Sequence, residues 1–136
     1  MTAWSRFFEG GNSIKAIFVN ENGGIRYAEA IVKGLKPIET RSRNMLRALV
    51  GERVAVVRTR RGKAPVVIGY VTIYRADFCP ADTFGAYRDL TLIPEGSAYD
   101  CKGRGKWFYF LSNANPCDPF PLPENAVRHG RSWCEF

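Results

Sequence analysis

Histidine is nearly absent from this sequence, with His129 the only one. The four cysteines, Cys79, Cys101, Cys117 and Cys134, lie far apart, and no C-x-x-C pair occurs. A zinc site usually announces itself by paired ligands at short spacing, so no metal and no cofactor is expected. Nothing points to secretion, so reduced, mostly buried thiols are the expected cysteine state. No window of about 18 consecutive apolar residues occurs, which argues against a transmembrane helix. The stretch MTAWSRFFEGGNS lacks the apolar run and small-residue cleavage site of a secretory signal, so a cytoplasmic protein is expected.

Acidic residues are scarce in the middle of the chain. Residues 41–75 carry Arg41, Arg43, Arg47, Arg53, Arg58, Arg60, Arg61, Lys63 and Arg75 against Glu52 alone. Residues 76–100 reverse the sign, with Asp77, Asp82, Asp89, Glu95 and Asp100 against Arg88. The formal net charge is +7. Such asymmetry suggests a positive face and an anionic partner, although a solvated surface would look the same.

At 136 residues and 46% apolar, the chain suggests one domain with a real core. SIKAIFV (13–19) alternates as a strand. IRYAEAIVKG (25–34) has helical spacing, and Gly34 fits a helix C-cap. Pro37 then forces a restart as an extended segment from about Lys36. NMLRALVG (44–51) reads as a short helix or turn. RVAVVRT (53–59) and VVIGYVTIYR (66–75) read as strands joined by the hairpin tip RRGKAP. ADTFGAYRDL (81–90) reads as a short helix that Asp82 can cap, and 92–105 as an irregular loop. KWFYFLSN (106–113) is apolar on both faces and hence a central strand. NPCDPFPLPEN (115–125) looks too rich in proline for regular structure, and RSWCEF (131–136) closes the chain as a strand. The expected fold is α+β but mainly β, with five or six strands closing into a small barrel and two or three short helices. An open α+β sheet is the alternative.

The densest chemistry lies in GLKPIETR (34–41). Along a strand Glu39 and Arg41 share one face, and Ile38 and Thr40 share the other. Lys36 sits at the helix-to-strand corner, where its stem can reach Glu39. Two cations and a carboxylate on one cleft suit a nucleotide: the cations hold phosphate or a base oxygen, and the carboxylate accepts from an exocyclic amine. The carboxylate can also move a proton. A purely structural ion pair between Glu39 and Arg41 fits the same residues.

GLKPIETR fits G-x-K-x-x-E-x-R, and with the ordered strands around it residues 13–136 resemble the ASCH domain family. Residues 1–12 would then be an N-terminal arm. The resemblance implies a small barrel similar to PUA domains, with Lys36, Glu39 and Arg41 at a cleft beside it. It also implies binding of RNA or modified nucleosides, with some members enzymes. One enzymatic branch, an acetylcytidine amidohydrolase, is similar in Lys36 and Arg41. It has a Thr nucleophile where Glu39 stands, and its catalytic Glu falls on the strand where Tyr70 or a neighbour stands here. A second branch is an ASCH ribonuclease, for which Glu39, Lys36 and Arg41 supply a base, a cation and an acid.

Other candidates surround this motif. Arg58, Arg60, Arg61 and Lys63 at the hairpin, Arg43, and Lys102 and Arg104 in KGRGK can grip a nucleic-acid backbone. An ordinary charged turn accounts for the hairpin residues equally well. Tyr70, Tyr74 and Tyr109 can line the cleft for stacking, whereas Trp107, Phe108 and Phe110 read as core. Trp4, Phe7 and Phe8 either pack on the barrel or mark a partner surface. Ser112 and Asn113 suit turn hydrogen bonds better than a base edge, and His129 stands too isolated for catalysis. The expected partner is RNA or a nucleotide-like ligand, with no membrane. The alternatives are a hydrolase at the same cleft, or a protein-interaction module with a structural charge cluster.

Overall fold

The computed structural model describes residues 13–136. Seven strands form one mixed sheet in the order β2-β5-β4-β3-β1-β7-β6. The strands are β1 Lys15–Asn20, β2 Ile38–Arg41, β3 Arg53–Thr59, β4 Val66–Cys79, β5 Lys106–Pro121, β6 Val127–His129 and β7 Trp133–Glu135. Among the described residues only the β1–β3 pair runs parallel. The helices are short: α1 Tyr27–Val32, α2 Ala81–Phe84 and α3 Arg88–Thr91, with single 3-10 turns at Arg47–Leu49 and Gly85–Tyr87. The mainly β, α+β expectation holds. Among the described residues the end strands β2 and β6 do not pair, so the sheet is bent and open rather than a closed barrel.

The bending has a local cause. The β4–β5 ladder shifts register near Gly69, Thr72 and Arg75, and such bulges bend a strand and sharpen its twist. A bent sheet can cover both faces. From β1, Ile17 and Val19 join the main core with α1, Val54, Val56 and Phe108. Ala16 and Phe18 join a second cluster with Val57, Val67 and Leu122. That explains the continuous apolar run of β1, since both of its faces are buried.

Three segments differ from the sequence reading. Residues 115–121 extend β5 despite Pro116, Pro119 and Pro121. β2 pairs only with residues 107–110 of β5, so the proline-rich half has a partner on the β4 side alone. Proline is tolerated on such a free edge because no ladder hydrogen bond is lost there. The 81–90 segment breaks into α2, a 3-10 turn and α3, and Pro80 rather than Asp82 occupies the N-cap position of α2. Strand β6 continues from the irregular return and pairs with β7 in a closing hairpin. The aromatic residues expected in the arm, Trp4, Phe7 and Phe8, lie outside the described residues. Among those described, no helix is long and apolar enough to cross a membrane.

Helix α1 seats on the sheet through a glycine contact. A β-carbon at Gly69 would lie 2.6 Å from Val32 Cγ1 and would also meet the Asn115 backbone oxygen. Neither neighbour is the far end of a flexible side chain. Gly69→Ala is therefore expected to lower stability by about 1–3 kcal/mol, as for other overpacked sites, read as a drop in the urea midpoint with an unchanged slope.

Candidate functional site

The chain turns into the site through the end of α1. Gly34 has a φ of +76°, the left-handed geometry that glycine adopts without penalty. The Leu35 amide donates to Ala30 O at 2.9 Å and the Gly34 amide to Ile31 O at 3.0 Å. This is the double hydrogen-bond pattern of a Schellman cap, with Gly34 in the C′ position. The cap reverses the chain so that Lys36 points back under the helix and β2 starts one residue after Pro37. At the other end of α1, Arg26 gives no side-chain cap. Glu21 takes that role from outside: its Oε2 accepts the Glu29 amide at 3.1 Å, while Arg60 Nη2 donates to its Oε1 at 3.0 Å.

Lys36 is 1% exposed and Glu39 7% exposed, so both charges are buried. The Lys36 ammonium donates to Ile38 O at 2.8 Å and to Thr91 O, and lies 3.7 Å from Glu39 Oε1. Its remaining side faces the Tyr27 ring, 5.2 Å from the centroid. Glu39 Oε1 also accepts the Thr40 amide at 3.1 Å. Glu39 Oε2 accepts from Arg41 Nε at 3.3 Å and Nη2 at 2.9 Å. Arg41 Nη2 further donates to Phe18 O at 2.7 Å. Lys36 thus holds Glu39, and Glu39 holds Arg41. Arg41 Nη1 has no hydrogen bond among the described residues, and Arg41 lines the cleft.

The electrostatics follow from this packing. Burial lowers the Lys36 amine to about 8, against the opposing pull of Glu39. Burial alone would raise the Glu39 carboxyl. Arg41 and Lys36, with the hydrogen bonds from Arg41 and Thr40, outweigh it and hold the group below its ordinary value. At neutral pH the cluster therefore carries two positive charges and one negative.

The cleft beside these residues has a volume of about 360 Å³, within the usual range for a small-ligand site. Tyr27 and Tyr99 form an edge-to-face pair on one wall, with ring centroids 5.7 Å apart. Phe18 lies on another wall under the Arg128 guanidinium, 4.7 Å from its ring centroid. Arg131, from the β6–β7 turn, completes the positive rim.

The motif allows Lys36, Glu39 and Arg41 to converge, and the helix-to-strand corner, which the sequence does not fix, brings them together. Much of the rest of the cleft has no signal in the motif. Tyr70 sits on β4 against the second core cluster and does not line the cleft. Tyr74 is exposed and packs on Phe110. Tyr109 is fully buried, its hydroxyl donating to Asn44 Oδ1 at 2.8 Å. Arg58, Arg60, Arg61 and Lys63 lie at the β3–β4 tip, and Arg60 is tied to Glu21. Arg43, Lys102 and Arg104 instead line a second groove next to the cleft. Tyr27, Tyr99, Arg128 and Arg131 were absent from the sequence candidates. The helical face of 25–34 carried Tyr27, but Tyr99, Arg128 and Arg131 come from an irregular loop and a late hairpin without pattern.

A scan against protein-family models finds no match, and a search of curated proteins finds none either. Solved structures do match. A serine-to-alanine variant of an ASCH protein from Zymomonas mobilis is 24% identical over 79% of this chain and 74% of that one, with a TM-score of 0.62. A tyrosine-to-phenylalanine variant is 22% identical over 79% and 76%, with a TM-score of 0.58. The ASCH structure from the same organism without a stated substitution is 20% identical over 79% and 73%, with a TM-score of 0.56.

Removing one member of a buried ion pair leaves the others uncompensated. Glu39→Gln is expected to destabilise the fold at pH 7 by roughly 3 kcal/mol, measured by urea unfolding. A carboxyl held low in the folded state contributes stability above its unfolded value near pH 4.5. That contribution fades as pH falls through the folded value, so the gap between wild type and variant should narrow in acid.

Proposed function

We propose that this chain, which has the fold of the ASCH domain, binds a nucleotide-like ligand at the Lys36–Glu39–Arg41 cleft, RNA being the polymeric form of that ligand. The carrying observation is the Arg41 guanidinium, fixed on one edge by Glu39 and Phe18 O while Nη1 remains uncommitted among the described residues. A fixed guanidinium donates to phosphate or a base oxygen with little loss of side-chain freedom. The Tyr27–Tyr99 wall supplies apolar surface for a base. Arg128 and Arg131 add positive charge at the rim, which favours an anionic ligand.

In this reading Glu39 orients rather than reads. Its oxygens already accept from Thr40 and Arg41 and face Lys36. Lys36 is the buried counter-charge that, together with Arg41, keeps Glu39 ionised. One observation favours a second reading, a hydrolase at the same cleft. An amine held near 8 is partly neutral in mild base and can then accept a proton. Against this stands the geometry, because the Lys36 N–H groups are directed at Ile38 O, Thr91 O and Glu39.

The two readings predict opposite pH dependence. If the cluster binds an anion, loss of the Lys36 proton reduces its net charge by one, and affinity falls as pH rises through about 8. If neutral Lys36 is a base, turnover rises through the same range. The test is to titrate ribonucleoside monophosphates and short single-stranded RNA into wild type and Lys36→Met from pH 6 to 10, with gels of the RNA afterwards. Binding should weaken with salt and lose most of its step near pH 8 in Lys36→Met, with the RNA intact. Affinity indifferent to Arg41→Ala would refute the cleft as the binding site, and RNA cut by wild type alone would establish the hydrolase.

A further inference from the structure

A second groove of about 780 Å³ adjoins the cleft, and Thr40, Arg41 and Tyr99 line both. The two hollows are therefore neighbours that share these three residues. The groove carries Arg43, Lys102 and Arg104, all exposed and none in an ion pair among the described residues. Asp100, its one lining carboxylate among the described residues, is already engaged. Asp100 accepts the Gly96 amide at 2.7 Å, the Cys101 amide at 2.8 Å and Arg88 Nη2 at 3.2 Å. The groove thus presents uncompensated positive charge.

The basic tip is built rather than loose. The Arg104 amide donates to Cys101 O at 2.9 Å, closing a four-residue turn. Its central residues, Lys102 and Gly103, have φ of +50° and +76°. Two positive values are what a type I′ turn requires, and lysine is an unfavourable residue there. Glycine or asparagine would suit the backbone better. Lys106 braces the base of this loop by donating from Nζ to Tyr99 O at 2.7 Å.

We propose that cleft and groove form one track for single-stranded nucleic acid, with a base in the cleft and adjoining backbone phosphates along Arg43, Lys102 and Arg104. The inference rests on the cleft reading above and names its ligand as a strand rather than a mononucleotide. A duplex does not suit the track, because a base can enter an aromatic-walled cleft only when it is unstacked.

The test uses fluorescence anisotropy with a dye-labelled oligouridylate of about six nucleotides, a length within the span of one small binding domain. Uridine monophosphate serves as competitor. The variant is Lys102→Asn/Arg104→Gln, in which asparagine keeps the turn while both charges are removed, and Arg43→Gln provides a second variant outside the turn. Wild type should bind the oligomer at least about tenfold tighter than the monophosphate, the variant should lose most of that margin, and the log–log salt slope should fall by about 1.4. Monophosphate affinity should not change. If the oligomer binds no tighter than the monophosphate while Arg41→Ala abolishes both, the track is wrong and the cleft reading stands. If wild type binds neither ligand better than Arg41→Ala does, the cleft reading falls and the track with it. Duplex RNA or polyglutamate binding as tightly as the single strand would overturn the strand assignment.

Discussion

A buried carboxylate between two cations is the constraint around which this end of the molecule is arranged. Glu39 is nearly sealed from water. An isolated ionised carboxyl in that position would be costly by several kcal/mol, enough to neutralise it. Lys36 on one side and Arg41 on the other keep it charged. The three are interdependent: the lysine would be equally unfavourable without Glu39, and the arginine would lose the anchor that fixes its plane. Their value lies less in stability, since buried ion pairs gain little over apolar packing, than in holding one guanidinium edge toward a cleft.

The surrounding fold supplies the geometry that this array needs. The Schellman cap at Gly34 turns Lys36 inward. Pairing of β2 with β5 sets Glu39 opposite Tyr109 and Arg41 opposite Trp107. The end of α3 contributes the Thr91 carbonyl, just before Leu92, which has the left-handed φ of +61°. Glu21 caps α1 and so fixes Tyr27, the ring beneath the Lys36 ammonium. Elements distant in sequence thus meet at one lysine nitrogen, and that is how a short motif on an edge strand becomes rigid.

The motif was legible because its signals are local. Gly34 marked the cap, Pro37 the restart, and strand alternation put Glu39 with Arg41. The hairpin of β3 and β4 and the central place of β5 were also written in short-range patterns. What escaped the sequence depends on pairing. The prolines of residues 116–121 looked incompatible with a strand because an edge left unpaired beyond β2 cannot be seen locally. Barrel closure depends on whether β2 meets β6, which no run of residues reports. Tyr70 and Tyr109 have polar tips that suit a cleft, but sheet register packs the first against the second core cluster and buries the second, its hydroxyl accepting the Leu46 amide. Tyr99, Arg128 and Arg131 reach the cleft from loop and turn positions with no periodicity to flag them.

The central claim is that Glu39 acts on the ligand through Arg41. A double-mutant cycle on uridine monophosphate affinity, with Glu39→Gln, Arg41→Ala and the pair, tests it directly. If Glu39 serves to aim Arg41, then once Arg41 is removed the Glu39 change should cost no further affinity, and the pair should match Arg41→Ala alone. Losses that add in the pair would contradict the account, because they would mean that Glu39 touches the ligand itself.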